Sequence, residues 1–240
     1  MIKHYLHTRL KPFSFLVLSI LFSLLIYSPG MKAVDELSRV LFLLLSFFVF
    51  RLIDDACSVS YDRSHHPDRS YLSPENYPTF LRFTAVSCLA YQSLLFMYSK
   101  EIGLIVSLFI FASLLLYVLF QKQFTVLSLI PLLKYPVLLY CLVFQDASNA
   151  LIFVCLSSFF IMLSYDLLED KKIGDLKRFV ALGALATAGF FTLFSISFPF
   201  APVFILIPLL FVWLFPRCKY LHYLPIAYYP LFILINSLVK

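Results

Sequence analysis

Residues 40–69 read VLFLLLSFFVFRLIDDACSVSYDRSHHPDR, an apolar run that passes directly into a charged one. The apolar part, through Phe50, contains a single polar residue, Ser46. The part that follows holds four aspartates, three arginines and two histidines. Extended to residues 37–53, the run reaches a length typical of a membrane helix, and ionisable residues concentrated at its end indicate either a solvated loop or a functional site.

The whole chain has the composition of a membrane protein. Of its 240 residues 62% are hydrophobic and 13% are charged, and the mean hydropathy is +0.92. Apolar runs of about 17–25 residues recur along the chain, and because they are continuous rather than alternating they favour helices over strands. The sequence therefore predicts an all-α integral membrane protein with a single polytopic domain over residues 1–240. We place nine spans at residues 13–28, 37–53, 81–98, 102–120, 124–144, 149–165, 176–198, 201–215 and 223–238; a single long helix kinked near Pro199 would make the count eight.

The placement of basic residues predicts the orientation in the membrane. With the N-terminus in the cytoplasm, most of the 19 Lys and Arg residues fall in cytoplasmic segments, as the positive-inside rule requires. The formal charge of +6 is then mainly a topology signal. No loop carries a long basic run, so we expect no nucleic-acid partner. The sequence gives no sign of an obligate protein partner, and the lipid bilayer is the expected environment.

Two Asp-rich segments, residues 54–80 and 166–178, follow the second and sixth predicted spans. In the predicted topology both are caps on the cytoplasmic face. If the second helix continues past the membrane, Asp55, Ser58 and Asp62 are spaced i, i+3 and i+7 and share one face.

The second segment has the same character, because Asp166 and Asp170 are spaced i and i+4. Carboxylates stacked in this way repel one another unless a cation lies between them. Mg²⁺ takes such oxygen ligands, usually one or two carboxylates with water and substrate phosphates. Solvated loops are also charged, but two such clusters at one face favour a metal–phosphate site.

Basic residues flank both clusters. Arg51, Arg63 and Arg69 accompany the first cluster, and Lys171 and Lys172 accompany the second. Arginine and lysine side chains bind phosphate oxygens. Mixed acidic and basic side chains at one face are therefore suited to a magnesium–phosphate ligand.

The first segment resembles the first signature of the UbiA superfamily of intramembrane prenyltransferases. That signature reads Asn-Asp-x-x-Asp-x-x-x-Asp, followed by a tail like Pro-x-Arg. Here DDACSVSYDRSHHPDR fits in register. Asp54 stands at the Asn position, Asp55 and Asp62 stand at the first and last Asp positions, and Pro67 and Arg69 form the tail.

The second segment resembles the second signature of the same superfamily, Asp-x-x-x-Asp followed by basic residues and Gly. DLLEDKKIG fits it through Asp166, Asp170, Lys171, Lys172 and Gly174. The resemblance covers both signatures, their placement after helices two and six, and the helix count.

Three positions depart from the superfamily pattern. Ser58 replaces the middle Asp of the first signature and offers a neutral oxygen. Leu163 stands where many members have a further Asp before the second pair, and Ser70 stands where a Pro often follows the tail Arg. Two of the usual metal carboxylates are therefore absent, while Asp54 adds one where the superfamily usually has Asn.

The resemblance implies nine transmembrane helices bundled around a central cavity, Mg²⁺ as the cofactor and an isoprenyl diphosphate as the substrate. The metal and basic residues would stabilise the departing diphosphate, and an acceptor, often an electron-rich aromatic ring, would capture the carbocation. The catalytic residues would be Asp55, Asp62, Asp166 and Asp170; the metal ligands would be these four with Asp54 and Ser58; and the diphosphate-binding residues would be Arg69, Lys171, Lys172 and Lys134.

Lys134 is a separate signal, because it lies inside the fifth predicted span. An ionisable residue within a span is costly and marks a functional site by default, although it can also pair with a carbonyl. Pro131 and Pro136 flank it, which predicts a kinked backbone at this point.

Other functions fit parts of the same pattern. A membrane terpene cyclase of the same superfamily would ionise the same diphosphate, and a degenerate member would bind isoprenoid lipid without turnover. A transporter is disfavoured because the charges gather at one face. A CDP-alcohol phosphotransferase is disfavoured because DDACSVSYD lacks the Asp-Gly and Ala-Arg pairs of its signature. The sequence specifies neither the prenyl chain length nor the acceptor.

Overall fold

The structure is a computed structural model that describes residue 5 and residues 12–27, 32–65, 67, 69–121, 123–144, 149–169, 175–193, 201–215, 218 and 220–239. Within these ranges the chain forms α-helices and short 3₁₀ turns and contains no strand, so the predicted all-α class is confirmed for the described chain. The helices are α1 (Pro12–Leu25), α2 (Ala33–Cys57), α3 (Val59–His65), α4 (Tyr77–Tyr98), α5 (Lys100–Leu119), α6 (Phe124–Leu129), α7 (Lys134–Val143), α8 (Asn149–Glu169), α9 (Asp175–Leu193), α10 (Ala201–Leu214) and α11 (Tyr223–Val239), with 3₁₀ turns at Ser70–Leu72 and Ile130–Leu133.

Long apolar helices give the chain its membrane character. Among the described residues, four segments are long and apolar enough to cross a membrane: Tyr77–Tyr98, Lys100–Leu119, Val126–Val143 and Leu151–Glu169. Phe13–Leu25 and Tyr223–Ile235 are shorter apolar helices. A membrane-embedded protein is thus confirmed in its coarse form, while the count of nine spans stays a prediction.

Helix α2 carries the first acidic segment into the folded core. Asp35 and Glu36 lie in its first turn, where the helix dipole favours negative charge. The helix extends beyond the predicted span of residues 37–53 and ends at Cys57. Asp54 and Asp55 therefore lie in its last turn, and both are buried.

Helices α4 and α5 pack against each other as a hairpin. Ser99 joins them, and its hydroxyl oxygen accepts a hydrogen bond from the Ile102 amide at 3.3 Å, which caps the start of α5. Gly103 lies in the next turn. A Cβ atom there would lie 2.8 Å from the Phe96 ring, so the close approach of the two helices depends on this glycine.

The fifth predicted span is interrupted where the two prolines predicted a kink. Helix α6 ends at Leu129, a 3₁₀ turn with Pro131 near its start follows, and α7 begins at Lys134. Proline removes a backbone donor and clashes with the preceding turn of an α-helix. The predicted distortion is therefore confirmed, and it places Lys134 at the first position of a new helix.

The chain divides into two compact units. The first takes residues from Met1–Ser19 and Val40–Lys134, and the second takes residues from Ile20–Arg39 and Tyr135–Lys240. In the first unit, α5 contacts the 3₁₀ turn that precedes Lys134, and α4 contacts the 3₁₀ turn that follows α3. In the second unit, α8 and α9 form the most extensive helix pair, α10 and α11 pack against α9, and α11 also packs against α8.

The contact between Gly103 and Phe96 predicts that the effect of a Gly103→Ala substitution on stability depends on the Phe96 side chain. Gly103→Ala should lower the free energy of unfolding, because the clash outweighs the roughly 1 kcal/mol that alanine gains over glycine within a helix. In a Phe96→Ala background the same substitution should raise stability. SDS-induced unfolding in mixed micelles, followed by circular dichroism, measures both effects.

Gly183→Ala in α9 is the matched control, because a Cβ atom there meets nothing within 4 Å. It should raise stability by about 1 kcal/mol. Equal effects of Gly103→Ala with and without Phe96 would contradict the close approach of α4 and α5.

Candidate functional site

The first acidic segment stays nearly helical past the end of α2. Ser58 separates α2 from α3, yet the Ser58 amide donates to the Asp54 carbonyl at 2.9 Å and the Asp62 amide donates to the Ser58 carbonyl at 2.8 Å. Both are helical i→i−4 bonds. The Ser58 hydroxyl also donates to Asp62 Oδ2 at 3.1 Å. The predicted shared face of Ser58 and Asp62 is thus confirmed by direct contact.

Asp54 contacts two residues of the first unit that lie far from it in sequence. Lys134 Nζ, at the start of α7, lies 2.6 Å from Asp54 Oδ2. The hydroxyl of Tyr117, on α5, donates to Asp54 Oδ1 at 2.9 Å. Lys134 was predicted to bind diphosphate, and in the structure it forms a buried ion pair with Asp54.

Asp55, like Asp54, is contacted by one basic side chain and one tyrosine hydroxyl. Arg51, one turn earlier on α2, places a guanidinium nitrogen 3.3 Å from Asp55 Oδ1. The Tyr5 hydroxyl donates to Asp55 Oδ2 at 2.8 Å. The spacing of Arg51 and Asp55 is i, i+4, which brings side chains together on one helix face.

Asp62, on α3, is likewise contacted by one arginine and one tyrosine hydroxyl. Arg69 forms an ion pair with Asp62 Oδ1, and the Tyr71 hydroxyl donates to Asp62 Oδ2 at 2.5 Å. The side chain of Asp62 is buried. The tail arginine of the first signature therefore contacts the last aspartate of that signature directly.

The three carboxylates and three cations balance one another in charge. Burying an unpaired charge costs several kcal/mol, and a buried ion pair recovers this cost only when hydrogen bonds also satisfy its oxygens. Here every carboxylate oxygen of Asp54, Asp55 and Asp62 has at least one donor. The first acidic segment is thus a compensated buried cluster, which we call the aspartate cluster: Asp54, Asp55 and Asp62 with these partners.

An aromatic group supports one side of the aspartate cluster. The rings of Tyr5 and Tyr71 meet edge to face with centroids 5.6 Å apart, and both pack against Phe80 at 5.1 and 4.8 Å. Leu52 and Leu72 complete this buried core. Ring packing of this kind fixes the direction of each hydroxyl, so Tyr5 and Tyr71 present their donors from a rigid base.

Outside the predicted spans, the surroundings keep the ionisable partners of Asp62 protonated. Burial and the negative charges of Asp55 and Asp62 raise the pKa of the Tyr71 hydroxyl above its usual value, so it remains a donor at physiological pH. Burial opposes the charge of Arg69, but contacts with Tyr71 and Asp62 outweigh it and raise the pKa of Arg69.

An open cleft lies beside the aspartate cluster, in the loop between α3 and α4. Arg69 and Arg63 both line it, and the guanidinium carbon of Arg63 lies 5.9 Å from the Tyr77 ring centroid. Two arginines at one cleft favour an anionic group such as a phosphate. The lining residues are Arg63, Pro67, Arg69, Ser70, Leu72, Ser73 and Pro74.

The donor atoms of the aspartate cluster fit Mg²⁺ in type. They are carboxylate and hydroxyl oxygens, which this cation prefers. In the described part of the chain, no group of three or more His, Cys, Asp or Glu side chains is placed to hold a metal ion. Mg²⁺ is commonly held by one or two carboxylates with phosphate oxygens and water, so one or two of Asp54, Asp55 and Asp62 are suited to supply protein ligands alongside a phosphate.

The Arg51 side chain also has an unsatisfied hydrogen-bond donor that an anionic ligand could accept from. Arg51 Nε is buried and has no hydrogen-bond partner within the described residues. Leaving a buried donor unsatisfied costs about 1–3 kcal/mol or more. A phosphate oxygen would remove that cost by a charge-assisted hydrogen bond.

The second acidic segment is described only at its start. Asp166 is exposed near the end of α8, in the second unit, and α8 ends at Glu169. Asp170, Lys171 and Lys172 lie outside the described residues, so their predicted roles in metal and diphosphate binding stay predictions.

The tyrosine partners of the aspartate cluster were not predicted from the sequence. Tyr5 lies 50 residues from Asp55, and Tyr117 lies 63 residues from Asp54. No spacing rule connects residues so far apart. Tyr71 follows Arg69 by two residues, and this proximity is the one local signal that could have identified a partner.

Comparison of the chain with family models, with curated proteins and with solved structures found no match. The resemblance to the UbiA superfamily therefore stays a hypothesis.

The ion pair of Lys134 and Asp54 predicts that removing Lys134 strongly lowers stability, and that also removing the Asp54 charge restores most of it. Lys134→Met leaves the Asp54 carboxylate buried without its cation and should lower the free energy of unfolding by about 3–5 kcal/mol. The double variant Lys134→Met/Asp54→Asn removes both charges and should recover most of this loss. Unfolding by SDS in mixed micelles measures the three proteins.

Lys100→Met is the matched control, because Lys100 is exposed at the start of α5. It should change stability by no more than about 0.5 kcal/mol. A double variant as unstable as Lys134→Met alone would show that the two side chains do not compensate each other.

Proposed function

We propose that the chain is a Mg²⁺-dependent intramembrane prenyltransferase, which ionises an isoprenyl diphosphate and transfers the prenyl group to an acceptor. The observation that carries this proposal is the aspartate cluster. Three carboxylates and the Lys134 ammonium are buried in a chain that is otherwise strongly apolar, and Arg51 and Arg69 pair with two of these carboxylates from partly exposed positions. Ionisable groups held at such cost inside a membrane protein mark a functional site by default.

The proposed metal ligands in the described chain are Asp54, Asp55 and Asp62, with Ser58 as a neutral oxygen. When bound, Mg²⁺ would supply positive charge that stabilises the diphosphate as it leaves the prenyl carbon. The protein's own task is to hold carboxylate oxygens in fixed directions inside a buried environment. The hydrogen bonds to all three aspartates support that task.

Diphosphate binding is assigned to the cations of the same cluster. Arg69 contacts Asp62 on one side and lines the open cleft on the other, so a phosphate in the cleft would meet its guanidinium. Lys134 contributes charge from α7, and Arg51 offers its spare Nε donor. Arginine and lysine next to a phosphate stabilise the negative charge that develops on a leaving diphosphate.

The finer features of the proposal follow the superfamily that the sequence resembles. They are nine spans bundled around a central cavity, a cytoplasmic N-terminus and a prenyl tail that lies among apolar helices. Asp166 and Asp170 would add metal ligands, and Lys171 and Lys172 would add phosphate donors. The acceptor is left open.

A non-catalytic function is the second candidate, and one observation favours it. The aspartate cluster is already neutral without any ligand, because each carboxylate has its own cation. Ser58 also stands where the superfamily has an acidic ligand. A protein with these features would bind an isoprenoid lipid without ionising it. A terpene cyclase would share the ionisation step and differ in its product.

The first experiment is a diphosphate-release assay on the purified protein in detergent. Geranyl, farnesyl and geranylgeranyl diphosphates are supplied with and without Mg²⁺, and with and without a total lipid extract as a source of acceptor. We expect Mg²⁺-dependent release of pyrophosphate. Asp55→Asn should reduce that release by about 100-fold or more, because it removes one charged ligand of the ionising site.

Asp35→Asn is the matched control on the same helix, because Asp35 is exposed in the first turn of α2. It should leave the release unchanged. Mass spectrometry of the lipid products separates transfer from cyclisation. No release with any chain length, with or without the extract, would overturn the proposal and favour lipid binding, and Ser58→Asp would then test whether the missing carboxylate is the cause.

A further inference from the structure

The two oxygens of each carboxylate in the aspartate cluster have partners of different kinds. In Asp54, Oδ1 accepts from the Tyr117 hydroxyl and Oδ2 faces the Lys134 ammonium. In Asp55, Oδ2 accepts from Tyr5 and Oδ1 faces Arg51.

Asp62 follows the same division. Its Oδ2 accepts from Tyr71 and Ser58, and its Oδ1 faces Arg69. A neutral hydroxyl therefore holds one oxygen of every aspartate, and a cation faces the other. The division occurs three times, although the three tyrosines come from separate parts of the chain.

We propose that Tyr117, Tyr5 and Tyr71 are positioning residues, which hold one oxygen of each aspartate so that the oxygen now facing a cation is presented to the metal–diphosphate ligand. This inference rests on the proposed function, because it assigns a direction to the ligand atoms of that site. The cations are the exchangeable partners, and the tyrosines are the permanent ones.

The chemistry of the two partners explains this assignment. Lys134, Arg51 and Arg69 carry the charge that a phosphate attracts, so they can pair with diphosphate oxygens once the metal compensates the carboxylates. A tyrosine hydroxyl is neutral and has little affinity for a divalent cation. It therefore keeps its hydrogen bond to the aspartate while the cation changes partner.

The packing around the tyrosines holds their rings, and so their hydroxyl groups, in place. Tyr5 and Tyr71 are packed against each other and against Phe80. Tyr117 is buried within α5. Rings held in this way leave the hydroxyl little freedom to turn, so the carboxylate plane is set before any ligand arrives. Groups that orient metal ligands through a hydrogen bond commonly contribute 10–100-fold to metal affinity.

The test is metal binding rather than turnover. Mn²⁺ replaces Mg²⁺, and the purified protein is equilibrated by dialysis against Mn²⁺ with inorganic pyrophosphate, so that metal analysis on both sides of the dialysis membrane reports the Mn²⁺ that stays with the protein. Tyr117→Phe, Tyr5→Phe and Tyr71→Phe each remove one hydroxyl and keep the ring. We expect each to raise the Kd for Mn²⁺ by about 10-fold or more.

Tyr229→Phe is the matched control. Tyr229 is fully buried, and its hydroxyl donates to the Leu185 carbonyl at 2.8 Å in the second unit. It should lower thermal stability as much as the other three variants do, yet change the Kd by less than about 2-fold. This separates a loss of positioning from a general loss of a buried hydrogen bond.

The outcomes separate the two proposals. If the wild-type protein fails to bind Mn²⁺ with pyrophosphate, the proposed function is wrong and the positioning role fails with it. If the wild type binds and all four variants bind equally well, or all weaken equally, only the positioning role is overturned. Thermal unfolding and gel filtration verify that each variant is folded, and the three tyrosines test the inference independently.

Discussion

The need to compensate charge inside an apolar protein governs the structure around the end of α2. Asp54, Asp55 and Asp62 are buried, and a buried carboxylate without a partner would cost more than most single contacts can recover. Lys134, Arg51 and Arg69 supply that compensation from α7, from α2 itself and from the loop after α3. These residues of the first unit are thus linked by electrostatic contacts.

Local irregularities of the chain make those contacts possible. The 3₁₀ turn at Ile130–Leu133 ends one helix and starts another at Lys134, so that the ammonium reaches Asp54. The break at Ser58 separates α2 from α3 without losing the helical hydrogen bonds on either side. The aromatic group of Tyr5, Tyr71 and Phe80 then fills the space next to the charges. Each irregularity coincides with a residue of the aspartate cluster.

Much of this could be read from the sequence where the signal was local. Apolar runs predicted the helices, two prolines predicted the distortion near Lys134, and the i, i+4 spacing brought Arg51 next to Asp55. The pairing of Lys134 with Asp54 joins residues that are 80 positions apart, and no periodicity specifies it. The same holds for the tyrosine hydroxyls, because a tyrosine in an apolar helix has the same sequence signature whether it faces lipid or a carboxylate. The nine spans and the roles of the second signature stay predictions.

The long separation of Lys134 from Asp54 has a consequence for synthesis of the protein. Translation produces Asp54 well before Lys134, so α2 is complete while the ammonium that will pair with Asp54 is not yet made. A nascent or truncated chain that ends before residue 134 carries the Asp54 charge without its final partner. The segment that contains Lys134 likewise lacks a compensating carboxylate of its own, since residues 124–144 contain neither Asp nor Glu. The buried pair of Lys134 and Asp54 therefore forms only after both segments have left the ribosome.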